Sequence, residues 1–241
     1  MSSEEETETR RSAMIEENLD GVRRRIQAAA TSCGRDPQSV RLVAVSKTVA
    51  AERVREAIAA GVRILGENYV QEARAKIEAL ADCAVSWHFI GHLQSNKAKY
   101  AVQLFDLIHS VDSLKLAREI DKQARKIDKV QEILVQVNIA EEATKSGTTE
   151  DRTPELVGEI SRLENVALKG LMTMPPYFNA PEKVRPFFKA LRELRDRMRE
   201  TAAANVSLDE LSMGMTGDFE SAVEEGATLV RIGTAIFGER D

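Results

Sequence analysis

The sequence predicts an α/β protein of 241 residues, folded as a single TIM-like (β/α)8 barrel with an extra helix at its N-terminus. Three observations carry that prediction. Short apolar runs alternate with segments of helical periodicity, the pattern of a parallel sheet with crossover helices. The number of such runs is eight, which favours a closed barrel over an open sheet. No stretch rich in Pro, Gly or Ser divides the chain, and no internal repeat is visible.

Each element follows from its local pattern. Ile15, Leu19, Val22 and Ile26 recur at helical spacing, so Ser12 to Ala30 reads as an amphipathic helix. The run Leu42-Val43-Ala44-Val45 suits a buried parallel strand. A helix over 52–59 closes at Gly61, a residue type favoured just past a helix end. A strand from Val62 to Leu65 precedes a helix from Tyr69 to Leu80, and a third strand spans Val85 to Ile90. In that strand Trp87 and Phe89 alternate with polar neighbours, which makes them core residues. A short helix from Asn96 to Gln103 leads to a fourth strand within Leu104 to His109. The next helix carries Leu116, Ile120 and Ile127 on one face, and Ile133 to Val137 is the fifth strand. Thr153-Pro154 reads as an N-cap and first helical residue for a helix through Leu163. Val166 to Met172 is the sixth strand. A helix with Val184, Phe187, Phe188, Leu191, Leu194 and Met198 on one face follows. Leu208 to Ser212 is a weak seventh strand, Phe219 to Glu225 a short helix stopped by Gly226, and Thr228 to Ile232 the eighth strand.

Composition bounds the function. Hydrophobic residues make up 43% and charged residues 30%, as in ordinary soluble domains. The net charge of −5 lacks the basic footprint of a nucleic-acid binder. No apolar run approaches the roughly 20 residues of a membrane span, so no membrane partner is expected. The opening MSSEEETETRR has no apolar core like that of a secretory signal. Residues 1–11 are therefore expected to be a disordered acidic tail, with residues 12–241 forming the barrel domain. Cys33 and Cys83 make neither a disulfide framework nor a metal-ligand spacing, which fits a cytoplasmic protein with reduced thiols.

In such barrels the active face lies at the C-terminal ends of the strands. Two features stand out there. Lys47 follows four apolar residues and Ser46, and a lysine held against apolar walls keeps more of the neutral amine that attacks an aldehyde. The plainer alternative is a lysine with a packed stem and an ammonium in water. Gly233-Thr234 follows the last strand, where barrels often hold phosphate on backbone N–H groups, and Ser212 ends the seventh strand within reach of the same anion. Two ordinary strand-to-helix turns are the alternative there. Arg231, inside the eighth strand, needs a partner if it points into the barrel, either a ligand or a structural ion pair. His88, His92 and His109 do not make a metal site, and packing and hydrogen bonding are their expected roles.

Seven segments then narrow the reading: AVSKT at 44–48, GENYVQEA at 66–73, WHFIGHLQSNK at 87–97, VNIAEEATKSG at 137–147, GLMTMPP at 170–176, LSMGMTGDFESAV at 211–223 and VRIGTAIFG at 230–238. In this order and combination they resemble the pyridoxal phosphate homeostasis protein family. That family is similar to the N-terminal barrel of alanine racemase, and the resemblance covers nearly all of the chain after residue 11. It implies pyridoxal 5′-phosphate (PLP) as cofactor, held as a Schiff base on Lys47. It further implies a phosphate site at Ser212, Gly233 and Thr234, Arg231 facing the pyridine nitrogen, and Asn68 near the cofactor. An arginine there would keep that nitrogen unprotonated and weaken the ring as an electron sink. Thr216 stands where the family more often has serine, and both carry a hydroxyl.

The resemblance implies a role in intracellular PLP (vitamin B6) homeostasis without robust turnover, PLP-dependent apoenzymes as recipients, and a monomer or weak homodimer. A PLP enzyme such as an amino-acid racemase is the alternative. A racemase needs acid/base groups on both faces of the substrate carbon. Tyr69, Tyr100 and Tyr177 lie in no recognisable catalytic context, and with the eighth strand so near Asp241 no second domain is expected to supply one.

Overall fold

The computed structural model of the protein describes residues 3–142, 145–176, 178, 180–200 and 205–239. Helix α1 (Ser3–Ser32) precedes eight strands: β1 (Arg41–Val45), β2 (Ile64–Glu67), β3 (Ser86–Phe89), β4 (Leu107–Val111), β5 (Gln131–Gln136), β6 (Val166–Met172), β7 (Val206–Ser212) and β8 (Leu229–Ile232). All neighbours are parallel, and β1 pairs with both β2 and β8, so the sheet closes into a barrel in sequence order. The crossover helices are α2 (Ala51–Ala59), α3 (Val70–Ala79), α4 (Ala98–Leu104), α5 (Leu114–Arg125), α6 (Thr153–Ile160), α7 (Arg185–Arg199) and α8 (Phe219–Glu224). A one-turn helix, α9 (Thr234–Phe237), follows β8.

The alternation of side chains along each strand separates two cores. Outward residues such as Ala44, Leu65, Phe89, Ile108 and Ile133 pack under the helices and join the large core. Inward residues Val43, Leu107, Leu134, Met172 and Leu229 form a smaller apolar layer inside the barrel. Each fully buried Leu, Ile or Phe contributes about 1.5–3 kcal/mol relative to exposure.

Helix α1 buries Ile15, Leu19, Val22 and Ile26, the stripe read from the sequence. It begins at Ser3, so helix runs through most of the segment where composition points to a disordered tail; Met1 and Ser2 lie outside the described residues. Glu and Arg are strong helix formers that can extend a packed helix backward. Ile127 is not on the face of α5: the helix ends at Arg125, Asp128 turns at φ 54°, and Ile127 is left exposed. Thr153 is not an N-cap. It is the first residue of α6, and its hydroxyl donates to the Thr149 carbonyl at 2.8 Å. Gly61 behaves as expected, with φ 96° just past α2, where an L side chain would be strained.

Candidate functional site

The C-terminal ends of the strands open into a cleft of about 260 Å³. Lys47 and Asn68 line it from the ends of β1 and β2, and Arg231, Gly233 and Thr234 line it from β8 and the turn into α9. Val45, Ile90, Met174, Phe178 and Met215 supply apolar walls. Five of the six residues expected to hold a cofactor therefore meet in one place. Ser212 is the exception. It is fully buried in the barrel interior, and its hydroxyl accepts from Arg231 Nη1 at 2.6 Å and lies 2.9 Å from His109 Nδ1.

The loop carrying Lys47 is held by a cluster in the helix layer. Ser46 points outward and its hydroxyl donates to Glu67 Oε1 at 2.6 Å. Lys76 of α3 donates to Glu67 Oε1 at 2.8 Å, to Glu72 Oε1 at 2.7 Å, and to the Ser46 carbonyl. Glu72 in turn accepts from the Thr48 backbone N–H. Backbone groups on both sides of Lys47 are thus tied to α3, with Thr48 in the left-handed region at φ 62°. Lys47 alternates with Ser46, so its own side chain turns to the cleft. Burial pushes the Glu67 carboxyl above its ordinary range despite the hydrogen bonds from Lys76 and Ser46.

Asn68 is fixed by close packing. A Cβ on Gly91 would lie 2.2 Å from the Asn68 carbonyl oxygen, so only glycine lets the loop after β3 approach. The Asn68 Oδ1 is buried without a hydrogen-bond partner, an acceptor held out of water at the cleft wall.

Arg231 is 4% exposed. It donates from Nη1 to Ser212 and from Nη2 to the Thr173 carbonyl at 2.9 Å. These neutral acceptors, rather than the carboxylate of an ion pair, hold the guanidinium. Desolvation lowers its pKa to about 10, opposed by the charge of Asp218 at the cleft wall, so it stays protonated at neutral pH.

The loop before α8 also brings Thr216 and Gly217 to the cleft. The Asp218 carboxylate accepts from the Met215 N–H at 2.6 Å and shapes this loop. Sequence reasoning singled out Thr216 only as a variation within a motif, and the signal it passed over was the Gly-x-x-Gly spacing of Gly214 and Gly217. Gly233 sits where a Cβ would press on Val45 at 3.3 Å. His92 ties a loop to the rim through Ser146 Oγ at 3.1 Å, and His88 and His109 are hydrogen-bonded to each other, in keeping with the roles expected of them.

Residues 18–241 match the family model described as alanine racemase, N-terminal domain. A pyridoxal phosphate homeostasis protein of Aquifex aeolicus is 50% identical over 93% of this chain and 97% of its own length. The structure of PipY from Synechococcus elongatus with PLP bound superposes with a TM-score of 0.82 at 38% identity, covering 93% of this chain and all of that one. An alanine racemase of Clostridium difficile, 15% identical with a TM-score of 0.74, shares the fold over 95% of this chain and 57% of its own length. The chain belongs to the pyridoxal phosphate homeostasis protein family, built on the barrel of the alanine racemase N-terminal domain.

Proposed function

We propose that the protein binds PLP in this cleft and serves intracellular PLP homeostasis as a carrier rather than an enzyme. The observation that carries the reading is the convergence of Lys47, Asn68, Arg231, Gly233 and Thr234 on one cleft walled by apolar side chains. The residues fit the cofactor. Lys47 presents the amine that holds its aldehyde, and Arg231 presents a permanent cation to the ring nitrogen. Gly233, Thr234, Thr216 and Gly217 face the phosphate with backbone N–H groups and hydroxyls. The orphaned Asn68 Oδ1 gains a polar partner at the ring edge. When bound, PLP supplies an electrophilic carbon and a ring that accepts electron density. An arginine at the ring nitrogen withholds the proton that would strengthen that sink.

The same cleft supports the carrier reading. Among the described residues lining it, the ionisable ones are Lys47, Asp218 and Arg231. Asp218 accepts from the Met215 N–H and Arg231 donates to Ser212, which supports roles in shaping the cleft for both over acid/base work opposite Lys47. Tyr69 and Tyr100 are 62% and 40% exposed and do not line the cleft; Tyr177 lies outside the described residues. No helix among the described residues is long and apolar enough to cross a membrane. A cytoplasmic monomer or weak homodimer that passes PLP to apoenzymes is the setting we infer.

Borohydride reduction of PLP-loaded protein followed by peptide mass spectrometry is expected to place the cofactor on Lys47, and Lys47→Ala to abolish the visible absorption band. A label on another lysine would overturn the assignment. Incubation with single-enantiomer amino acids in deuterated water should give no sustained α-proton exchange. Exchange at ordinary enzyme rates, about 1–1000 per second, would favour a racemase instead.

A further inference from the structure

Arg231, Ser212, His109 and His88 form one hydrogen-bonded line inside the barrel. Arg231 Nη1 to Ser212 Oγ is 2.6 Å, Ser212 Oγ to His109 Nδ1 is 2.9 Å, and His109 Nε2 to His88 Nδ1 is 3.0 Å. All four side chains are buried. Arg231 lines the cleft at the C-terminal mouth. His88 lines a second cavity of about 460 Å³ at the N-terminal mouth, among Arg41, Asp106, Glu132, Lys169 and Glu210. The line therefore crosses the barrel from one mouth to the other.

Its direction follows from the chemistry of its first member. A guanidinium only donates, so the Ser212 oxygen accepts from Arg231. Among the described residues, the other recorded partner of that hydroxyl is His109 Nδ1, the one acceptor available to the Ser212 proton. His109 Nδ1 is then unprotonated, and the ring carries its proton on Nε2. That proton goes to His88 Nδ1, which leaves His88 with its own proton on Nε2. The reverse order would leave the buried Ser212 proton with no acceptor, which burial makes costly. Burial, with Arg41 and Arg231 nearby, holds both imidazoles neutral: His88 is lowered to about 4 and His109 well below its ordinary range.

We propose that Ser212, His109 and His88 are a one-way hydrogen-bond relay that positions Arg231 against the cofactor, with both imidazoles in the Nε2–H tautomer and the far end open to the N-terminal cavity. The proposal rests on PLP binding in the cleft. Ser212 is a positioning residue here and not a phosphate ligand: it and the Thr173 carbonyl fix both terminal nitrogens of Arg231, which leaves the remaining guanidinium N–H groups for the cleft.

Two measurements test it. Nitrogen-15 NMR of the histidine rings in wild-type apoprotein at pH 7 is expected to show His88 and His109 as neutral Nε2–H tautomers. A cationic ring or an Nδ1–H tautomer at either position would overturn the relay. In PLP-loaded protein, Ser212→Ala should raise the PLP dissociation constant about tenfold and move the pH of the visible-band transition by about one unit. Ser212→Thr, which keeps the hydroxyl, should restore both. An affinity within twofold and an unchanged pH profile in Ser212→Ala would overturn the proposal. Wild-type protein that takes up no PLP would instead overturn the cofactor reading, while the tautomer result judges the relay by itself.

Discussion

Glu67 and Arg231 are both ionisable side chains sealed from water beside the same cleft, yet their surroundings differ. Glu67 lies in the helix layer against Lys76, Ser46 and, through Lys76, Glu72. Arg231 lies inside the barrel against a hydroxyl and a carbonyl, and beyond them two neutral imidazoles. The first arrangement sets opposite charges together and ties down the backbone around Lys47. The second holds a cation on neutral acceptors, with the charge of Asp218 at the cleft wall, and so turns it toward whatever occupies the cleft. A charge in a salt bridge serves architecture, and one held on neutral acceptors serves a ligand.

Removing one partner should separate the two clusters most strongly. Lys76→Met leaves Glu67 buried beside no cation and is expected to cost about 3–5 kcal/mol in urea denaturation. Adding Glu67→Gln should recover more than half of that loss. A single Lys76→Met change costing under about 1 kcal/mol would show that the pair does not hold the loop.

Acid should distinguish them next, because the two clusters respond with opposite sign. His88 faces His109, Arg41 and Asp106, and its folded pKa of about 4 lies below the ordinary 6.5. The unfolded chain therefore takes up this proton first, and stability falls as pH drops through that window, by about 2 kcal/mol between pH 7 and 5 from His88 alone. Glu67 is shifted upward, so its native form holds a proton longer and its contribution declines as pH rises above the ordinary carboxylate range. Denaturation at pH 7, 6 and 5 should show a slope that shrinks in His88→Gln. An equal slope in the variant would place the acid sensitivity elsewhere.

Thr234→Ala is expected to have the smallest effect. Loss of one hydroxyl donor, about 1 kcal/mol, should weaken PLP binding roughly fivefold and leave the urea midpoint unchanged, since Thr234 is exposed and belongs to neither cluster. A shifted midpoint would tie the turn to the fold rather than to the ligand.

The fold was legible because parallel barrel strands are buried on both sides and read as apolar runs. Val166–Met172 appears in the structure with the expected bounds. The seventh strand looked weak because Asp209 and Glu210 interrupt it, yet it spans Val206–Ser212: Glu210 pairs with Arg41, and Asp209 with Arg199, at the N-terminal end. Lys47, Arg231, Gly233 and Thr234 were legible because chemistry and strand-end position coincide. Ser212 is harder to read, because a strand-end hydroxyl carries no mark of which neighbour takes it, and the structure sets it against Arg231 and His109. The Ser46–Glu67–Lys76 cluster was illegible for a similar reason. Its members are scattered over 31 positions, and no local pattern announces a contact between a strand end and a later helix.

Helix α1 reaches across the end of the chain: the Asn18 amide donates to the Ile236 carbonyl at 3.1 Å, and Arg25 pairs with Glu220 at 2.5 Å. The turn that carries Thr234 is thus braced at Ile236 by a residue 218 positions before it. Contacts of such separation form late, after the entropy of closing a long loop has been overcome. During synthesis the cleft cannot be complete until β8 has closed the ring and α9 has met α1. Capacity to take up cofactor is therefore a late-acquired property of the chain, and PLP uptake during refolding should lag behind the recovery of helix content.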